Sequence, residues 1–205
     1  MKNKILTLAL VAIAALGMTS CSKDDDQTDK TTKVYGTITI ENTDVWQTWA
    51  DSGEVQVTIF PEFSLDPPAG WGEVPDNALG PGVPGGIFPL GAPYNAQNPI
   101  VLNYQSGKTT YDYEIELEPG TYSALGLGLR HNNVADPTRK TASLGVHWNK
   151  PDEVSHGIVI KIDPGNGMFI PIFEFAPPAT IQIQEGEQLE FNFKADFDFV
   201  NQWYQ

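Results

Sequence analysis

The sequence predicts an all-β protein, an antiparallel β-sandwich of about eight or nine strands with one long Pro/Gly-rich loop. Three observations point there. Apolar and polar residues alternate with period two in many short segments. Turn-forming residues separate those segments at short intervals. After the first twenty residues, no segment carries a sustained apolar stripe of helical period. Strands place successive side chains on opposite faces, so this alternation marks strands with one buried face. A closed β-barrel has the same one-sided pattern and is the competing architecture.

The chain opens with Lys2 and Lys4, then an uncharged apolar run from Ile5 to Met18. A membrane-spanning helix needs about 20 apolar residues. A shorter run that follows lysines and ends in small polar residues reads as a secretory signal peptide over 1–20. It ends at Met18-Thr19-Ser20-Cys21, and Cys21 is the only cysteine of the 205 residues. An apolar residue and two small ones before a cysteine resemble the lipoprotein box of bacteria. That resemblance implies that Cys21 is lipid-modified and becomes the mature N-terminus. Residues 21–33 then read as an acidic, flexible tether, because the stretch after Cys21 has no apolar side chain to join a core before Val34. Its run of Asp24, Asp25 and Asp26 resembles the export signal of surface lipoproteins of Bacteroidota. The resemblance implies a lipid-anchored protein of the cell envelope, facing outward from the outer membrane.

The β-sandwich domain is expected over 34–205. Val34, Gly36, Ile38 and Ile40 share one face of the first strand, and Val55, Val57 and Ile59 one face of the second. Residues 61–98 interrupt the alternation. From Pro61 to Pro93 the chain holds eight of its sixteen prolines and seven glycines, a density expected to exclude regular elements. Its Phe63, Leu65, Trp71, Ile87, Phe88 and Leu90 nevertheless predict that it docks in part against the sandwich. Tyr111, Tyr113, Ile115 and Leu117 share a face in the next strand. Further strands are expected in TYSALGLGL, TASLGVHW, GIVIKI, MFIPIFEF and TIQIQ. Pro171 within MFIPIFEF predicts an edge strand or a bulge there. Asp163-Pro-Gly-Asn-Gly167 reads as a hairpin turn. The clearest alternation closes the chain: Leu189, Phe191, Phe193, Ala195, Phe197 and Phe199 on one face, polar residues on the other.

Two stretches resemble a family. VYGTITIEN is a Gly-containing first strand, and YDYEIELEPGTYSALGLGL holds Tyr-x-Ile-x-Leu-x-Pro-Gly-Thr-Tyr. Together they resemble the transthyretin-like or carboxypeptidase-regulatory-like β-sandwich group. The resemblance implies a tight turn at Pro119-Gly120, with Gly120 at positive φ and Tyr122 turned inward. The group consists mainly of structural and binding scaffolds, so the resemblance implies binding rather than catalysis.

The formal net charge is −14, from 26 acidic and 12 basic residues. Nucleic acid is excluded as a partner, because phosphate contacts need clustered cations. No nucleophile elbow, zinc-binding His-Glu-x-x-His or phosphate loop is present, and the chain is expected not to be an enzyme. His131, His147 and His156 match no ligand spacing, so no metal or other cofactor is expected. Calcium is the alternative, at Asp163 and Asn166 or at Asp196 and Asp198. Trp148 falls on a strand and is expected in the core. Trp46, Trp49 and Trp71 fall in loops and are the candidate contact residues, since flat rings serve glycan sites and protein interfaces. The expected function is a non-catalytic interaction or accessory module, bound to the membrane through Cys21 and contacting a protein or glycan; the alternatives are a glycan-binding lipoprotein using Trp46, Trp49 and Trp71, and, behind that, a hydrolase.

Overall fold

The computed structural model describes residues 31–64 and 73–204. Cys21 and Trp71 lie outside them. The elements in chain order are β1 (Lys33–Glu41), α1 (Thr43–Trp49), β2 (Gly53–Phe60), β3 (Glu62–Ser64), β4 (Glu73–Val74) and β5 (Gly86–Ile87). Then come β6 (Ala92–Tyr94), β7 (Gln97–Leu102), β8 (Thr110–Glu116), β9 (Gly120–Tyr122), β10 (Ala124–His131) and β11 (Thr141–Val146). The chain finishes with β12 (Val159–Ile162), β13 (Ile170–Glu174), β14 (Ile181–Ile183), β15 (Gln188–Glu190), β16 (Phe193–Asp196) and α2 (Phe199–Trp203). The fold is all-β and sandwich-like, and among the described residues no sheet closes into a barrel.

The first sheet is built on β1. It pairs antiparallel with β8 on one side and parallel with β15 and β16 on the other. The final alternating segment is therefore split, although its register against β1 is the same on both sides of the break. At the break the Phe191 carbonyl comes so close to Gly36 that a Cβ there would lie 2.0 Å from its oxygen. Phe191 N donates to Tyr35 O, and Thr37 N donates to the Asn192 side chain. The inward alternation continues through Phe193, Ala195 and Phe197, after which the chain turns into α2 and buries Phe199, Val200 and Trp203.

The second sheet has the order β11-β10-β2-β7. Its inner face carries Val55, Val57, Ile59, Leu125, Leu127, Leu129, Ala142 and Leu144, in one buried cluster with Val34, Ile38, Ile115 and Phe193 of the first sheet. Gly145 brings the two sheets together at one corner, since a Cβ there would meet Lys194 O at 2.4 Å. Between β8 and β9 the chain turns a corner held by Tyr122, which is buried and whose hydroxyl donates to Glu118 O at 2.9 Å. The inward ring is as expected. Gly120 is not at positive φ; it starts β9, which pairs with β14.

The Pro/Gly-rich segment departs from its expected irregularity in short ladders, where β3 pairs with β6 and β4 with β5. β5 also joins β12, giving a third sheet, β13-β12-β5-β4. Glycine permits this close packing: a Cβ on Gly86 would lie 2.3 Å from Lys161 O. The segment docks as expected, with Val74 and Phe88 buried in the common core. β13 is an edge strand with Pro171 in it and a register shift beside it, both as the proline implied. The hairpin turn before it is held by Asp163, whose Oδ1 accepts from the backbone N–H groups of Gly165, Asn166 and Gly167.

Candidate functional site: a cleft over the outer face of the second sheet

Strand alternation puts Gln56, Thr58 and Phe60 on the face of β2 opposite its core residues. On β10 the same face carries Ala124, Gly126, Gly128 and Arg130, and on β11 Thr141 and Ser143. The two glycines leave this face without side chains at its centre. Above it lies a cleft of about 620 Å³, walled by Phe88, Pro93, Asn95, Ala96 and Pro99 of the Pro/Gly-rich segment and by His156, Gly157 and Ile158 before β12. This size falls within the range of small-molecule sites, which are largely apolar with a few placed polar groups.

Several of the polar residues that line this cleft stand out. Thr58 is 6% exposed, and its hydroxyl has no hydrogen-bond partner among the described residues. Arg130 and Lys140 also line it, whereas no Asp or Glu does among the described residues. Glu54 faces Arg130 across the strand pair, but its carboxylate accepts from Gln56 Nε2 and does not reach the guanidinium. His156 is buried and its ring stacks on Phe199 with centroids 3.9 Å apart. Its Nδ1–H donates to Ser143 O at 2.7 Å, while the Ser143 hydroxyl donates to His156 O at 2.6 Å. Burial pushes the imidazole pKa down, against the pull of Ser143 O and Asp196. Ser143 and His156 are thus neighbours in a cleft, each side chain engaged on the other's main-chain oxygen.

A second, smaller hollow of about 380 Å³ lies at the end of the sandwich, lined by Trp49, His131, Asp136, Arg139 and Tyr204 among others. Trp49 is half-buried, its ring 5.4 Å from that of Tyr204, and its Nε1 donates to Asn201 Oδ1 at 3.3 Å. Arg139 donates from Nη2 to Trp203 O, and Trp203 Nε1 donates back to Arg139 O at 3.0 Å. The Tyr204 hydroxyl accepts from Ala142 N and can donate to either Leu129 O or Lys140 O, and burial pushes its phenol up to about 12.

The tryptophans therefore separate. Trp46 is not in a loop and not a contact residue; it lies on α1, 2% exposed, stacked on Phe197 at 5.2 Å. Trp49 lines the small hollow. Trp148, expected in the core, is half-buried just past the end of β11, with Lys150 over its ring and its Nε1 donating to Glu153 O. Trp203 is buried. Of the calcium candidates, Asp196 Oδ1 accepts from Asn42 Nδ2 and Asp198 N, and Asp198 Oδ1 accepts from Asn201 Nδ2. Asp163 and Asp198 thus hold local turns through Oδ1, and Asp196 also ties its strand to Asn42, distant in the chain.

The cleft residues Thr58, Arg130 and Lys140 were not among the sequence candidates. Their signal was the pair of glycines alternating with leucines in ALGLGLRH, which empties one face of a strand. Comparison of the chain with family models, with curated proteins and with solved structures finds no match.

Proposed function

We propose that this chain is a non-catalytic binding module of the cell envelope, tethered through lipid on Cys21 and displayed outward. Its ligand surface is the cleft between the second sheet and residues 88–99. The single observation that supports this most is the cleft itself, a walled apolar space of about 620 Å³ formed by the segment that breaks the strand pattern. Long irregular segments in compact domains are commonly functional. The mutual commitment of Ser143 and His156 to main-chain oxygens supports binding over catalysis. The apolar run before Cys21 supports the anchor, and the resemblance to transthyretin-like sandwiches supports a scaffold role.

The test is native mass spectrometry of the chain purified without added ligand. A co-purifying small molecule is expected on the unaltered chain and not on Ala96→Trp, which puts an indole into the cleft from its exposed rim. A bound mass retained by the variant would sink the assignment. The same spectra examine Cys21: an unmodified thiol there removes the anchor from the proposal.

The smaller hollow supports a second reading, glycan binding at Trp49. A half-buried ring beside Asp136 and Arg139 offers stacking and paired polar groups. Trp46 has no part in it. Glycan arrays with the unaltered chain and Trp49→Ala decide: a saccharide signal that survives the substitution ends this reading.

A further inference from the structure

Resting on the cleft reading above, we propose that the ligand is a small anionic amphiphile, an apolar body closed by one carboxylate-type group. Three independent observations lead there. The first is charge. The chain carries 26 acidic and 12 basic residues, yet the described wall of this cleft holds two cations, Arg130 and Lys140, and no carboxylate. Neither cation forms an ion pair among the described residues. Arg130 is exposed and Lys140 half-buried, so they form a cationic rim with no lining carboxylate among the described residues, which favours an anionic occupant.

The second observation is Thr58. A buried hydroxyl without a partner is costly, and nearly all such groups in folded proteins are satisfied. Thr58 lines the floor of the cleft, on the same sheet face as Arg130. The hydroxyl oxygen is shielded from the cleft, and a χ1 rotation that exchanges it with the methyl would turn it to a ligand acceptor oxygen. The third is shape and lining. Phe60, Phe88, Pro93 and Ile158, with the bare backbone of Gly126 and Gly128, enclose an apolar body that can approach the sheet closely. Apolar burial supplies the affinity here, and the cationic rim and the hydroxyl set the orientation.

The probe is 11-(dansylamino)undecanoic acid, with its methyl ester as the uncharged twin, titrated by fluorescence into the full chain. The acid is expected to bind more tightly than the ester by about tenfold. The double variant Arg130→Gln/Lys140→Gln should erase that preference while binding the ester as before. Thr58→Val, of similar shape, should weaken the acid several-fold. Ala96→Trp should exclude both probes. If acid and ester bind equally to the unaltered chain, or if the double variant keeps the preference, the anionic ligand is wrong but the cleft remains a binding site. If neither probe binds, or if Ala96→Trp binds both unchanged, the cleft reading fails with it. Circular dichroism of each variant confirms that it is folded before its affinity is compared.

Discussion

His156 shows how a single residue carries both a legible and an illegible part. That it matches no metal-ligand spacing is read from the sequence; that it is buried against Phe175 and Phe199 follows only from the fold. Burial lowers the pKa of His156 and of His147 below the usual histidine value. The sign of the consequence is definite. Above pH of about 6.5 the histidines are neutral in both states and contribute no pH dependence. As pH falls through that value the unfolded chain binds protons that the folded chain refuses, so stability falls with pH down to the folded pKa. Urea midpoints should therefore drop between pH 7.5 and 5.5, and His156→Asn should flatten part of that slope. A variant with an unaltered slope would remove His156 from the account. Tyr122 was legible in the same partial way: its inward ring could be read from the alternation, but its bond to Glu118 O could not. Gly120 departs from the expected turn, because it starts a strand with ordinary φ.

Among the elements, α1 marks the limit of pattern reading. Seven residues make about two turns, too few for a helical stripe to stand out from loop composition. Trp46 and Trp49 then sit three apart on one side, Trp46 under Tyr104, Tyr111 and Phe197, Trp49 at the rim. Trp46→Ala should cost about 3–5 kcal/mol of stability, and Trp49→Ala about 1 kcal/mol, both read by chemical denaturation. Equal losses would contradict this assignment of depth. β13 is the opposite case. Its proline was legible as an edge signal because proline removes a ladder donor. Met168, Phe169, Ile170 and Ile172 are nevertheless exposed along this hairpin, with Pro171 and the register shift making the edge a poor template for another strand.

The whole molecule is closed by pairing its first described strand with its last. β1 lies between β8 and the β15–β16 segment, and the parallel contact spans most of the chain. The crossing depends on Gly36, where any Cβ collides with the Phe191 carbonyl. Gly36→Ala should cost about 3 kcal/mol. Gly120→Ala, whose added Cβ would have its nearest neighbour at 4.0 Å, should change stability by less than about 0.5 kcal/mol. Soluble yield and denaturation midpoints compare the two, and a tolerated Gly36→Ala would remove the steric account of the broken strand.

By itself the sequence determined the alternating strands and which of their faces are buried, because side-chain alternation is a local consequence of backbone geometry; the short ladders β3 to β6 and strand β7 carry no such alternation and were not legible. It also marked the breakers, the hairpin at Asp163 and the edge at Pro171, for the same local reason. Partner choice and register between distant strands are non-local, and only the tertiary structure decided them. So were the burial of Trp46, the half-burial of Trp148 and the cleft. Thr58, Arg130 and Lys140 share that cleft because β2, β10 and the approach to β11 are adjacent in space, and no spacing along the chain encodes such adjacency.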